Sequence, residues 1–460
     1  DRQQHRERVI RFVLFFDGAR DPHRFGVVEF DKDLNAISIE EKPKNPKSHF
    51  AIPGLYIFDK NVSEVAKSIR GKNKPSYTPN MDRLAREGVM GMVYSVGKKI
   101  PPESDIAVFN MLGYKFKHEE YVGRGVIESI GCNIDIKDGD LALRGNFATI
   151  DNNNRIVDRR VGRSLTKEEA VRLVDTIKKE VKLDSAEFEL VHTTGHRVVL
   201  RIRSDKALSA EISNTDPAYE RVKGMGIAKS KSSMKIQRCK GLDNNNASKR
   251  AAFLVNQFTE QAIKVMREHE VNLERRKNGM LEANCILLRD AGNKVPELES
   301  IDDKYSLRFS CIVDMPVEKG IAKVLKMPFI EGERMLDYEA KASRVSKILD
   351  NYDVVYVHLK GPDEFGHDGD AWGKKKSIED IDKRFFGNLN TDATVIISGD
   401  HSTPCIKKGH SADPIPLLIS SDKIERDDSQ RFTEHYAKRG SLNTLMGYQV
   451  IDKALTLLRS

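Results

Sequence analysis

Residues 396–420 read "IISGDHSTPCIKKGHSADPIPLLIS". An apolar run delivers Asp400 and His401 to its end, His410 follows, and a second apolar run closes the stretch. A carboxylate and two imidazoles held between buried strands need a partner, and a borderline divalent metal accepts all three. Apolar runs of this kind recur along the chain. "ANCILLRDAG", "LRFSCIVDM", "DVVYVHLKGPD" and "ATVIISGDH" precede "PIPLLIS", with helical stretches such as "EGERMLDYEAKASRVSKILDNY" between them. At the other end, "VIRFVLFFDG" reads as a strand ending on Asp17, and "TPNMDRLAREG" as a helix with Thr78 at the N-cap and Pro79 in the first position. Continuous apolar strands alternating with amphipathic helices predict an α/β fold on a doubly wound, mostly parallel sheet. Functional groups of such sheets gather at the carboxyl ends of the strands. Asp17, Arg289, Asp363, Asp400 and His401 stand at such ends.

The chain has 460 residues, which predicts more than one domain. Its middle, 118–282, has a different texture. "GNFATIDNNNRIVDRR" reads as a hairpin, "LTKEEAVRLVDTIKKEV" as an amphipathic helix and "AEFELVHTTGHRVVLRIRS" as a second hairpin. An inserted α+β domain follows from that mixture. "KGMGIAKSKSSMKIQRCKGLDNNNAS" is polar and reads as an exposed loop. The expected organisation is a sheet core from 1–23, 78–117 and 283–460, the inserted α+β domain at 118–282, and a separate insertion at 24–77.

Charged residues make up 32% of the chain and hydrophobic ones 39%, a balance that predicts a soluble globular protein. No apolar run approaches the roughly 18 residues that a membrane helix needs. "DRQQHRERVI" carries no apolar signal-peptide core, so the expected location is the cytoplasm. Five scattered cysteines without a CxxC pair predict reduced thiols, neither a disulfide framework nor a thiolate zinc site. The net charge of +8 suits anionic partners, yet no zinc finger, RNA-binding aromatic signature or basic helix points to nucleic acid.

The donors can be gathered from the strand ends. "GPDEFGHDGD" offers Asp363 and His367, four apart, so a helical turn would set both on one face. With Asp17, Asp400, His401 and His410 they make three carboxylates and three imidazoles, enough for two divalent ions. Two-metal sites serve in-line phosphoryl transfer. "PPESDIAVFNMLGY" sets Ser104 after a Pro-Pro turn where a helix begins, and its hydroxyl is either an N-cap or a nucleophile.

Longer motifs carry a resemblance. "TPNMDRLAREG", "GRGVIESIG", "GNFATID", "VDRRVGR", "FELVHTTGHRVVLRI", "HLKGPDEFGHDGD" and "GDHSTPCIKKGHSADPIPLLI" resemble the archaeal-type cofactor-independent phosphoglycerate mutases of the alkaline phosphatase superfamily. The likeness runs from about 78 to 460, with "VLFFDG" before it. It implies one metal on Asp17, Ser104, Asp400 and His401 and a second on Asp363, His367 and His410. Manganese is the usual ion, with zinc, cobalt or magnesium as alternatives. The resemblance makes Ser104 the nucleophile that takes the phosphoryl group of 3-phosphoglycerate, with Lys304 and Arg289 holding phosphate. It implies substrate contacts from Asn146, Asp158, Arg159, Arg163, His196 and Arg197. Ile106 and Val108 stand where the family has polar residues, and Asp290 where it has glycine.

Residues 24–77 differ. "EEKP" and "GLYIFD" resemble a piece of the glucose-1-phosphate thymidylyltransferases, in which the counterparts of Glu41 and Lys42 contact a sugar phosphate. That family's Gly-rich nucleotide loop does not occur in these residues. An inserted hairpin and helix without transferase activity is the expectation.

Overall fold

The structure is a computed structural model that describes residues 26–30, 36–41, 51–52, 76–115, 122–222, 225–228, 234–331 and 336–459. The chain divides between Pro75 and Ser76 into two units. In the first, Gly26–Phe30 pairs antiparallel with Ala36–Glu41 on one side and with Ala51–Ile52 on the other. Asp17, Lys42 and the expected helix of this segment lie outside the described residues.

The second unit is mixed α/β. Its antiparallel sheet runs Cys285–Gly292, Leu141–Ile150, Arg197–Ser204, Ala186–His192, with Ile156–Asp158 also paired to Leu141–Ile150. Two faces alternate along Leu141–Ile150. Leu141, Leu143 and Phe147 face the helices Lys167–Glu180 and Asn246–Arg267 and share one apolar core with them. Phe147 is fully buried there, and cutting it to alanine should cost about 3–5 kcal/mol. The other face carries Arg144 and Asn146. Register sets Arg289 opposite Arg144, and Arg197 opposite Asn146.

The strand Cys285–Gly292 corrects the sequence reading, which grouped it with the parallel strands. An apolar run names neither its partner nor its direction, and this one pairs antiparallel with Leu141–Ile150. A second correction concerns the polar stretch after Val222. Met225–Ala228 forms a hairpin with Tyr219–Val222, and Cys239 is buried with its thiol on the Ser213 carbonyl.

Parallel pairing appears in the three-stranded sheet Phe329–Glu331, Phe309–Val313, Val354–Val357. The four-stranded sheet is mixed: Val395–Ser398 and Ile415–Ser420 are antiparallel, as are Ile415–Ser420 and Gly88–Tyr94, while Asn443–Met446 runs parallel to Gly88–Tyr94. Parallel neighbours need a long crossover, usually a helix. Residues 399–414 hold no helix, so the chain turns back antiparallel.

The helix Pro79–Arg86 follows Thr78, but the threonine hydroxyl makes no capping bond. Asp382 serves instead, accepting from the backbone N–H of Met81 at 2.7 Å and of Asn80 at 3.3 Å. The helix expected from Glu331 begins only at Tyr338, where the Asp337 carboxylate caps it by accepting from Ala340 N–H at 3.1 Å. Among the described residues no helix is long and apolar enough to cross a membrane.

Candidate metal and phosphate site

Three segments of the second unit converge. The first is the helix Ser104–Met111. Glu103 occupies its cap position, so Ser104 is the first helical residue and its hydroxyl does not cap. Ser104 Oγ lies 3.1 Å from His401 Nε2. Ile106 and Val108 are buried in the core.

The second segment is the short helix Pro362–Asp368. Gly361 precedes it at φ +139, where an added Cβ would meet Ser377 Oγ at 2.3 Å. Only glycine fits that turn. The helix sets Asp363 and His367 on one face, with His367 Nε2 3.5 Å from Asp363 Oδ2.

The third is the loop that follows Val395–Ser398. It brings His401 and His410 into a stack with ring centres 3.7 Å apart, and His410 lies 5.0 Å from the His367 ring. Ligand atoms of Asp363, His367 and His410 lie within 4.8 Å of one another, a group able to hold a metal ion.

The donors are oriented for that task. His410 Nδ1 meets the Pro102 carbonyl at 2.7 Å and His367 Nδ1 the Lys408 carbonyl at 3.3 Å. A carbonyl only accepts, so each Nδ1 donates and Nε2 is the ring nitrogen left to face a ligand, the arrangement expected of metal-ligating imidazoles. Thr403 donates to Asp363 Oδ1 at 2.6 Å and so accepts from His401 Nδ1, 3.1 Å away. His401 Nε2 thereby keeps its lone pair and faces Ser104 Oγ at 3.1 Å and Asp400 Oδ2 at 3.3 Å. Burial pushes His401 below the usual imidazole range despite the pull of Asp400, which favours the neutral ligand form. Burial alone would raise Asp400, but His401, His358, Lys360 and His410 outweigh it and hold the carboxyl well below its usual range. Asp363 is lowered in the same manner by His401, the Thr403 hydroxyl, His367 and His410, against its own burial.

Beside this cluster lies a set of arginines. Arg124 pairs with Glu103 at 3.2 Å and Glu128 at 2.8 Å, and Arg144 with Glu128 at 3.4 Å. Asp216, wholly buried, meets Arg159 at 2.5 Å and Arg289 at 3.3 Å. Tyr219 lies against both guanidiniums, 5.3 Å from Arg159 and 4.6 Å from Arg289. Asn146, turned to satisfy both ends of its amide, accepts from Arg289 Nη1 at 3.3 Å. Burial and then the neighbouring Arg144 drive Arg197 down to about 10, and burial with Arg197, Arg160, Arg289 and Arg163 drives His196 down to about 3. A pocket this crowded with positive charge favours a bound anion.

Other expected residues stand elsewhere. Asp158 spends Oδ1 on the backbone N–H groups of Arg160 and Gly162, at 2.7 and 2.8 Å, and so shapes the turn that carries Arg163. Val161 takes φ +53 in that turn, a costly conformation for a β-branched residue. Arg163 pairs with Asp368, next to His367, at 2.7 Å. Lys304 is not brought to the cluster. Its ammonium lies 5.4 Å from the Tyr114 and Tyr305 ring centres, beyond the far end of Ser104–Met111. Eight helical residues span about 12 Å, so Ser104 is out of its reach. Sequence reasoning passed over Glu103, Arg124, Glu128, Arg144, Asp216 and Lys360. The signal for Arg144 was available: a single arginine inside the apolar run "LALRGNFATI", on the same alternate face as Asn146.

A hydroxyl 3.1 Å from an imidazole, a His/carboxylate group that could hold a metal ion and an arginine cluster stand side by side, a combination suited to metal-dependent phosphoryl transfer. A sequence model of the 2,3-bisphosphoglycerate-independent phosphoglycerate mutases matches residues 85–272. The mutase of that name from Aeropyrum pernix is 42% identical, over 88% of this chain and 99% of its own. One from Archaeoglobus fulgidus is 36% identical, over 88% and 98%. Among solved structures, a protein from Pyrococcus horikoshii superposes with TM-score 0.65 at 28% identity, over 84% of this chain and 90% of that one. The cofactor-independent phosphoglycerate mutase of Thermoplasma acidophilum gives 0.53 at 28%, over 84% and 94%. The chain belongs to the 2,3-bisphosphoglycerate-independent phosphoglycerate mutase family. A nucleotidyl transferase model matches residues 1–90, a span that includes Asp17.

Proposed function

We propose that this chain is an isomerase that interconverts 3-phosphoglycerate and 2-phosphoglycerate in the cytoplasm by way of a phosphoserine at Ser104. The observation that carries this reading is Ser104 Oγ, unused as a helix cap and 3.1 Å from His401 Nε2, beside Asp363, His367 and His410. The strand-end placement of these residues supports an alkaline phosphatase-like, doubly wound core. Asp363, His367 and His410 would hold one divalent ion and Asp400, His401 and Ser104 would contribute to a second, with manganese the foremost choice. When bound, such ions neutralise phosphoryl oxygens and lower the pKa of a hydroxyl nucleophile.

Ser104 Oγ attacks phosphorus, the bond from phosphorus to the C3 oxygen breaks, and the serine proton ends on that oxygen. The C2 hydroxyl of the retained glycerate then attacks the phosphoserine, and its proton returns to Ser104 Oγ. Backbone N–H groups at the start of Ser104–Met111 face the transferred phosphoryl group. Arg289, Asn146, Arg159, Arg197 and His196 bind the phosphate and carboxylate, while Arg163, through Asp368, closes the site against water. Water there would yield phosphatase chemistry.

Ser104→Ala tests this directly. It should abolish isomerisation while leaving thermal unfolding close to that of the parent, and rapidly quenched wild type should carry phosphate on Ser104. Near-normal turnover by the alanine variant would refute the mechanism.

A further inference from the structure

The strand Cys285–Gly292 loses register with Leu141–Ile150 between Arg289 and Gly292. Successive side chains of a regular strand point to opposite faces, so Arg289 and Asp290 would part. The irregularity and the left-handed backbone of Asp290, φ +57, bring both to one side. Asp290 Oδ2 lies 3.6 Å from Arg144 Nη1 and 3.4 Å from Arg289 Nε. All three side chains are less than one-tenth exposed, at 9%, 8% and 5%. Arg289 Nε makes no hydrogen bond among the described residues. Each arginine already has another carboxylate, Glu128 for Arg144 at 3.4 Å and Asp216 for Arg289 at 3.3 Å. Both of those carboxylates are shared with a further arginine, Glu128 with Arg124 and Asp216 with Arg159, and Asp290 adds a third, loosely seated carboxylate to the group. It also bears a backbone conformation that glycine adopts freely.

We propose that Asp290 is an affinity-setting residue: its carboxylate occupies an anion seat between Arg144 and Arg289, which the phosphate or carboxylate of a small phosphorylated acid takes over on binding. The identity of the acid rests on the phosphoglycerate reading, whereas the seat itself rests on the geometry. An oxyanion between two guanidiniums accepts charge-assisted hydrogen bonds that Asp290, at 3.4 and 3.6 Å, does not make well. Substrate must displace a like charge to gain them, which raises KM without altering the transfer step.

The test compares the full chain with Asp290→Asn and Asp290→Gly. Asparagine removes the charge, keeps the size and tolerates the left-handed backbone; glycine removes both charge and bulk. In both variants Arg144 keeps its contact with Glu128 and Arg289 its contact with Asp216, each shared with a second arginine. Calorimetric titrations with inorganic phosphate and with glycerate should show about tenfold tighter binding of at least one anion in both variants, as expected when a like charge leaves its side. Tighter phosphate alone makes this a phosphoryl seat and tighter glycerate alone a carboxylate seat. KM for 3-phosphoglycerate should fall similarly with kcat changed less than about threefold, the signature of a binding effect. Unchanged affinity for both anions in Asp290→Asn overturns the proposal, as does a gain confined to Asp290→Gly, which would place the effect in the backbone. Turnover with unchanged anion affinities would refute the seat and leave the mutase reading intact. Tighter anion binding without turnover in any protein would do the reverse.

Discussion

Glu103 Oε2 meets Arg124 Nη1 at 3.2 Å, so the residue in the cap position before Ser104 also holds a guanidinium of the arginine cluster. The hydroxyl and the arginine cluster are thereby tied at one residue's distance. Glu103→Gln should lower kcat/KM by about tenfold or more, since small misplacements of reacting groups are costly. Arg124 keeps Glu128 at 2.8 Å, so the stability loss should stay near 1–2 kcal/mol rather than the larger cost of an orphaned buried charge. Steady-state kinetics and a urea midpoint check both parts. A stability loss with kcat/KM untouched would make the pair purely structural.

Removing a donor from the His/carboxylate group gives the second prediction. His367→Ala leaves Asp363 and His410 one ligand short. The metal content of manganese-reconstituted protein should fall by at least part of one equivalent. Wild type should unfold at lower temperature after chelation, because a ligand at a hundred times its Kd stabilises by about 2.7 kcal/mol. Chelation should shift the variant less. Equal metal content and equal chelator response in both proteins would remove His367 from the site.

The residues of this candidate site that the structure brings together could be picked out because they travel in short motifs. Asp363 and His367 share a helical turn and Asp400 and His401 are adjacent, so spacing alone brings them together. Of the arginine cluster, the resemblance supplied Arg159, Arg197 and Arg289 but neither Arg124 nor Arg144. Arg124, Arg144 and Arg289 lie on a helix and two strands far apart in sequence, and only strand register sets Arg289 opposite Arg144. Sheet membership failed for the same reason. Hydrophobicity marked Cys285–Gly292 as a buried strand but carries no information on its partner or direction. Lys304 shows the limit of transferring single residues, since the short helix Ile301–Tyr305 sets its side chain against Tyr114.

The buried triad of Glu128, Arg124 and Arg144 predicts a pH dependence. Burial would raise Glu128, but Arg144 and Arg124 overcome it and bring the carboxyl from 4.5 down to about 2. A carboxyl lower in the folded than in the unfolded state stabilises above the unfolded value and loses that contribution as pH falls through the folded one. The window is therefore about pH 4.5 down to about 2, and the displacement is worth roughly 3 kcal/mol. Denaturant midpoints of wild type and Glu128→Gln should differ most above pH 5 and converge on acidification. Parallel curves across the window would show that Glu128 has no such coupling.

The division at Pro75 and Ser76 leads to the last prediction. The second unit has apolar core clusters of its own, from Met81 onward. Its first residues are held from within that unit: Arg431 donates to the Ser76 carbonyl at 2.7 Å, and Tyr77 N–H to Glu379 at 2.8 Å. A cut intended to spare the fold must therefore keep Ser76 and Tyr77, two residues earlier than the end at 77 that the sequence suggested. The group Asp363, His367 and His410 also belongs wholly to the second unit. Residues 76–460 expressed alone should fold cooperatively, with a melting temperature within a few degrees of the second unit's transition in the full chain. They should still bind divalent metal at that group. Replacing 24–75 by a short Gly/Ser linker should likewise preserve folding, because the entropy of closing a surface connection grows only by about 0.6 kcal/mol per doubling of its length. Circular dichroism melts and elemental analysis read both outcomes. An unfolded 76–460 fragment would show that the first unit contributes to the fold, and a dTTP-dependent reaction with glucose-1-phosphate in the full chain would show that it has retained transferase chemistry.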